Sequence, residues 1–138
     1  MSLRYNKYMN RSKLDQGNRG EQFAVEFLAS QGFQVIDRNF RIRGGEIDII
    51  AIDPSTSSGP MGGGKTLVFI EVKTRSSGDY GTPLEAIGYY KLRALIKATQ
   101  FYKMKHPKLP DLMRIDAVSV LVNDEGQLLD IELVKNIT

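Results

Sequence analysis

Apolar residues recur along this chain with two periods, and the switches between them mark out seven elements. Phe23, Ala24, Phe27 and Leu28 fall on one stripe at roughly 100° per residue, predicting a helix over 16–31 that Gly32 stops. Loose alternation from Gln34 to Ile42 predicts a strand, Gly44-Gly45 breaks it, and Glu46–Asp53 makes a second. A third strand follows at Thr66–Arg75. Ile87, Tyr90, Ala94, Leu95, Ala98, Phe101 and Tyr102 share one face of a long helix over 84–105, which Pro107 and Pro110 end. Arg114–Val122 and Leu128–Val134 alternate as two further strands around the turn Asn123-Asp124-Glu125-Gly126. The expected order is α-β-β-β-α-β-β, an α/β fold with no internal repeat.

Length and composition fit one soluble domain. The chain has 138 residues, 41% hydrophobic and 25% charged, and no apolar run approaches the roughly 20 residues that span a bilayer. Residues 1–15 are polar and basic and read as an added arm, with the domain over 16–138; nothing there marks export, so the cytoplasm is the expected compartment. Without cysteine, and with His106 as the single histidine, zinc and disulfide chemistry are set aside and any metal must be held by oxygen. The net charge of +3 is unevenly spread: residues 1–45 hold eight basic against four acidic groups, 116–138 one against five. A polyanion such as nucleic acid suits the basic part, although that balance also describes an ordinary solvated surface.

The loop over 54–65 is rich in Gly and Ser and is expected to be flexible. It contains Gly59-Pro60-Met61-Gly62-Gly63-Gly64-Lys65-Thr66, which satisfies G-x-x-x-x-G-K-T letter for letter. That motif needs a helix right after it, and Leu67-Val68-Phe69-Ile70-Glu71-Val72 is strand-like, so a nucleotide switch using Lys65 is rejected.

Charge inside strand cores carries more information. Asp48 lies in Gly45-Glu46-Ile47-Asp48-Ile49-Ile50, and Glu71 and Lys73 lie in Phe69-Ile70-Glu71-Val72-Lys73-Thr74-Arg75. A buried carboxylate costs several kcal/mol unless paired or bound to metal. An antiparallel hairpin closed where Asp53 faces Thr66 puts Asp48 opposite Glu71, Glu46 opposite Lys73, Ile50 opposite Phe69 and Ile52 opposite Leu67. Like charges about 5 Å apart at Cβ call for a cation between them. Mg²⁺, or Mn²⁺ in its place, accepts one or two carboxylates plus water and phosphate oxygens, and Lys73 on the same face can orient water or stabilise charge. The competing reading is a structural salt-bridge cluster.

These segments, with Gly20-Glu21, Ala24, Arg38-Asn39, Gly81-Thr82-Pro83, Lys91 and Arg114-Ile115-Asp116, resemble the YraN family of bacterial proteins over about residues 17–134. That family is similar to archaeal Holliday-junction resolvases and belongs to the restriction-endonuclease-like superfamily, whose pattern is an Asp, a spacer, then Glu-x-Lys. Here it falls on Asp48, Glu71 and Lys73. The resemblance implies a mixed central sheet flanked by helices and a Mg²⁺-dependent endonuclease acting on DNA, branched or structured forms included. The resolvases act as homodimers because two strands are cut symmetrically, but no patch in this sequence can be assigned to such an interface from pattern alone, so the oligomeric state stays open. A glutamate of the resolvases' N-terminal helix joins the metal site, which makes Glu21 a third candidate ligand.

Other charges support this reading. Lys91 falls inside the apolar stripe of its helix, where it either reaches the acidic cluster or a phosphate, or snorkels past the core. Arg38, Arg41, Arg43 and Arg75 flank the cluster as phosphate contacts or as solvated strand-end charges. Asp116 reads as a structural partner of Arg114, and His106 as a capping residue. The alternative in another class is a nucleic-acid-binding adaptor with this fold and no turnover.

Overall fold

The computed structural model describes residues 18–54, 64–77 and 87–138. The basic arm and most of the glycine-rich loop lie outside them. Gly64 and Lys65 are described, and they lead straight into a strand rather than a helix. Among the described residues no helix is long and apolar enough to cross a membrane.

Helix α1 covers residues 18–30. Five strands follow, interrupted once by helix α2 at Tyr89–Lys105: β1 Gln34–Ile42, β2 Gly45–Asp53, β3 Thr66–Ser76, β4 Leu112–Val122 and β5 Leu128–Val134. They form one sheet in the spatial order β1-β2-β3-β4-β5. Neighbours pair antiparallel except β3 and β4, which run parallel because α2 carries the chain back between them. The element order therefore matches the one expected from periodicity.

Each face of the sheet has its own core. Ala24 and Leu28 of α1 pack with Ile49, Ala51, Val68, Ile70, Val118 and Val120. Leu95, Ala98 and Tyr102 of α2 pack with Ile47, Ile50, Leu67, Phe69 and Ile115 on the other face. β3 is covered on both sides, so Thr66 to Glu71 are all buried, and burial relaxes from Val72 onward. Glu71 thus stands at the edge of the core.

Several expectations need correction. α2 begins at Tyr89 rather than Leu84, behind Gly88 in an extended conformation (φ −79°, ψ 175°). Ile87 precedes the helix, and Tyr90, expected on the apolar face, is 85% exposed. The helix meets the sheet only further along, where Leu95, Ala98, Thr99 and Tyr102 are buried. β4 starts two residues before the expected Arg114, at Leu112, and extends the parallel ladder with β3.

The β2–β3 register is the one the hairpin argument required, with Asp53 facing Thr66, Ile52 facing Leu67 and Ile50 facing Phe69. The ladder stops at Ile49–Ile70, however, so Asp48 does not sit in a regular pair with Glu71, nor Glu46 with Lys73. A second irregularity lies across the other edge of β2. Asn39 is left-handed at φ 54°, between the Arg38–Ile49 and Phe40–Ile47 pairs. Strict alternation would put Ile47 and Ile49 on one face; instead Ile47 packs beneath α2 and Ile49 beneath α1. Asp48 occupies the crossover, so the strand's two-residue period fails at this residue.

Candidate functional site

At that crossover the Asp48 carboxylate turns toward β3. Its Oδ2 accepts a hydrogen bond from the Val72 N–H at 2.8 Å, replacing the ladder bond the backbone no longer makes. Glu71, only 3% exposed, projects on the α2 face of β3, as does Lys73 two residues on. Lys91 Nζ lies 3.1 Å from Glu71 Oε1, and Lys73 Nζ lies 3.9 Å from the same oxygen. The structure therefore gathers Asp48, Glu71, Lys73 and Lys91 at one place, and Lys91 reaches the cluster rather than only snorkelling past it.

Two glycines let the helices come close enough. A Cβ on Gly45 would sit 2.7 Å from the Ala94 carbonyl and 3.3 Å from Ala98 Cβ, so its absence admits α2 against the start of β2. On the opposite face a Cβ on Gly20 would collide with Thr74 Oγ1. Gly20 thus seats α1 on β3 and brings Glu21 toward the acids.

Glu21 approaches from the α1 side. Its side chain is 17% exposed and lies 3.8 Å from Arg38 Nη2, yet its buried Oε1 has no hydrogen-bond partner. Burial raises its pKa, the Asp48 carboxylate raises it further, and Arg38 only partly offsets this. Asp48 is pushed up to about 7, first by burial and then by Glu71, while the Val72 N–H pulls the other way. For Lys91, burial alone would favour the neutral amine, but Glu71, Asp48 and Glu46 outweigh it and raise the pKa. The cluster is rich in negative charge that its lysines only partly balance.

Among the described residues, no three carboxylate or imidazole groups are close enough together to hold a metal ion. The Glu21, Asp48 and Glu71 set expected from the resemblance is thus not closed into a three-ligand cage in this arrangement. Asp48 and Glu71 are the pair coupled by mutual repulsion, and Glu21 approaches Asp48 from the other side.

The surrounding arginines divide. Arg41 Nε donates to Glu46 at 3.1 Å across the β1–β2 ladder, which takes Glu46 away from Lys73. Arg38 faces α1, donating to Gln22 beside Glu21. Arg43 is exposed in the β1–β2 turn, and Arg75 is half-buried near the end of β3. A cleft of about 470 Å³ opens beside the cluster, lined by Arg41, Gly45, Glu46, Lys91 and Ala94 among others. His106 caps the C-terminus of α2, its ring stacked on Tyr102 and its Nδ1 2.9 Å from the Tyr102 carbonyl. The sequence points to the Val72 carbonyl as a further oxygen ligand beside Asp48 and Glu71, but not to the Val72 N–H that orients Asp48; a failing ladder leaves no mark in residue types.

Fold and site together define a mixed α/β protein with an acid–lysine cluster where a buried central strand leaves the core. The chain belongs to the family described as Uncharacterised protein family UPF0102, whose model matches residues 20–120, in keeping with the resemblance to YraN proteins. It is similar to the UPF0102 protein of Caldicellulosiruptor saccharolyticus, 41% identical over 128 residues covering 93% of this chain and 98% of the relative. The UPF0102 protein of Geobacter metallireducens is 41% identical, covering 87% and 88% of the two chains. That of Paenarthrobacter aurescens is 44% identical, covering 78% and 80%.

Proposed function

We propose that this protein is a metal-dependent endonuclease of restriction-endonuclease-like fold that hydrolyses phosphodiester bonds in DNA, branched or structured forms included. The observation that carries the reading is the convergence of Asp48 and Glu71 at the broken β2–β3 ladder, beside two lysines and an open cleft.

The residues fit a hard divalent cation. An orphaned carboxylate oxygen on Glu21 and an Asp48 carboxyl pushed up to about 7 both mark negative charge without enough compensation. Asp48 and Glu71 would hold Mg²⁺ or Mn²⁺, and Glu21 would add charge from the α1 side. Two carboxylates suffice for an ion that keeps several waters and takes phosphate oxygens as further ligands. When bound, the cation would polarise the phosphodiester and favour an ionised water.

The chain's own groups supply the rest. Lys91 holds the Glu71 carboxylate in place at 3.1 Å, and the Val72 N–H does the same for Asp48. Lys73 offers its ammonium to the phosphoryl oxygens, where negative charge builds as water adds to phosphorus and one P–O ester bond breaks. Arg38, Arg41, Arg43 and Arg75 would contact flanking phosphates and set register without reading sequence.

A second reading, a DNA-binding adaptor without turnover, gains support from the two lysines that already neutralise Glu71. One experiment separates them: junction, flap, duplex and single-stranded DNA incubated with Mn²⁺ and the wild-type, Asp48→Ala and Glu71→Ala proteins. Cleavage that both substitutions abolish while binding persists is expected. Binding without cutting across the whole panel overturns the nuclease reading in favour of the adaptor.

A further inference from the structure

Beside the acid–lysine cluster, α2 opens with two exposed aromatic rings. Tyr89 is 65% and Tyr90 85% exposed, and Lys91, the next residue, touches Glu71. The two rings meet edge to face, with centroids 5.4 Å apart at 79°. Arg93 fixes the first of them, donating to the Tyr89 hydroxyl at 2.9 Å with its guanidinium 5.6 Å from the ring centroid. A preorganised pair of rings kept in water has no packing role among the described residues, and the apolar stripe of α2 does not use it.

The flank of α2 that follows is cationic. The cleft beside the cluster, lined by Arg41 and Lys91, shares Ala94 with a second of about 500 Å³ lined by Arg93, Ile96, Lys97 and Gln100. Positive groups along a groove, one of which, Arg93, holds an exposed ring, match the two demands of an unpaired strand: phosphates to neutralise and base faces to stack. A duplex keeps its bases stacked on one another and offers the rings no free face.

Resting on the nuclease reading, we propose that Tyr89 and Tyr90 are a stacking platform for an unpaired base next to the scissile phosphate. The preferred substrate class is then DNA with a single-stranded segment at the point of cutting. Tyr90 supplies the open ring, Arg93 steadies Tyr89 behind it, and Lys97 and Arg41 follow the strand's phosphates.

The test uses binding in EDTA, where no cleavage can occur, so that it stands or falls apart from turnover. The chain has no tryptophan, so Tyr90→Trp installs a single reporter at the platform. A mixed-sequence single-stranded 20-mer should quench its fluorescence, and a blunt duplex of the same sequence should not. Tyr90→Ala should weaken single-strand binding about ten-fold and leave duplex binding within two-fold, while Tyr90→Phe retains wild-type affinity. Equal losses on both DNAs, or none on either, overturn the platform even if Mn²⁺-dependent cleavage is found. The predicted losses in a protein that never cleaves would leave the platform standing and remove the nuclease.

Discussion

Strand β2 carries an aspartate at each end of its buried stretch, and the two have opposite surroundings. Asp53 lies at the loop end, 1% exposed, and accepts from Arg114 Nη2 at 3.0 Å. The same guanidinium forks onto Asp116, which is 0% exposed, with contacts of 2.8 to 3.1 Å, and the Asn136 N–H donates to Asp116 at 2.8 Å. Lys135 stands 3.9 Å from Asp53. Asp53, Arg114 and Asp116 each meet a directional partner. At the other end Asp48 has one backbone N–H, an acidic neighbour, and lysines that bind Glu71 instead. Buried charges that serve only the fold are expected to be fully paired. The Asp53–Arg114–Asp116 cluster meets that standard, and the Asp48–Glu71 cluster does not, which sets the proposed site apart from a structural salt bridge more sharply than charge content does.

The comparison is most exposed to failure at Arg114. Arg114→Met leaves Asp53 and Asp116 buried without their guanidinium, and breaking a buried pair from one side costs about 3–5 kcal/mol. Urea unfolding at pH 7.5 should show that loss. Glu71→Gln at the other cluster should change stability by less than about 1 kcal/mol, because it also relieves repulsion of Asp48. Equal losses at the two ends would erase the distinction.

A second test uses pH. Asp48 ionises at about 7 in the fold against 3.8 ordinarily, so the native state holds its proton more tightly than the unfolded chain. Ionising it therefore costs stability: the penalty is absent below pH 4, grows as pH rises, and is complete above about 7. Its full size is at most about 4 kcal/mol. Asp48→Asn, whose amide oxygen can still accept from the Val72 N–H, should gain about 2 kcal/mol over metal-free wild type at pH 8 and nothing at pH 4. A pH-independent difference in urea midpoints would show that Asp48 is not held in a charge-rich site.

How far these contrasts were legible beforehand depends on what set them. Chain order followed from the apolar periods, whereas the β2–β3 register rested on an assumed Asp53–Thr66 closure, because strands packed on both faces carry no alternation to fix it. Asp48, Glu71 and Lys73 stood out because charge interrupts otherwise apolar strands. Lys91 followed only from its angle on a helical wheel. The crossover at Asn39 and Asp48 was invisible, since a left-handed asparagine leaves no period of its own. Tyr90 misled the wheel because the helix starts only at Tyr89 behind an extended Gly88 and buries side chains first at Leu95, which leaves the Tyr90 ring in water. Residue types report burial preference, whereas these departures come from backbone geometry and from where a helix first meets its sheet.

The smallest expected effect lies on the rim, where Arg41 pairs with Glu46 at 3.1 Å with 72% and 41% of the two side chains exposed. Such a pair gains little in water, so Arg41→Ala should change the unfolding free energy measured in urea by less than about 0.5 kcal/mol. Its partner is not left buried, unlike Asp116 without Arg114, and that is what makes the same chemical deletion cheap here. Under the proposed nuclease reading the same substitution should be visible on DNA, because one phosphate contact fewer means one condensed counterion fewer released. The slope of log affinity against log salt should fall by about 0.9 on duplex DNA. An unchanged slope would place Arg41 off the DNA path and confine the interface to the α2 side of the cleft.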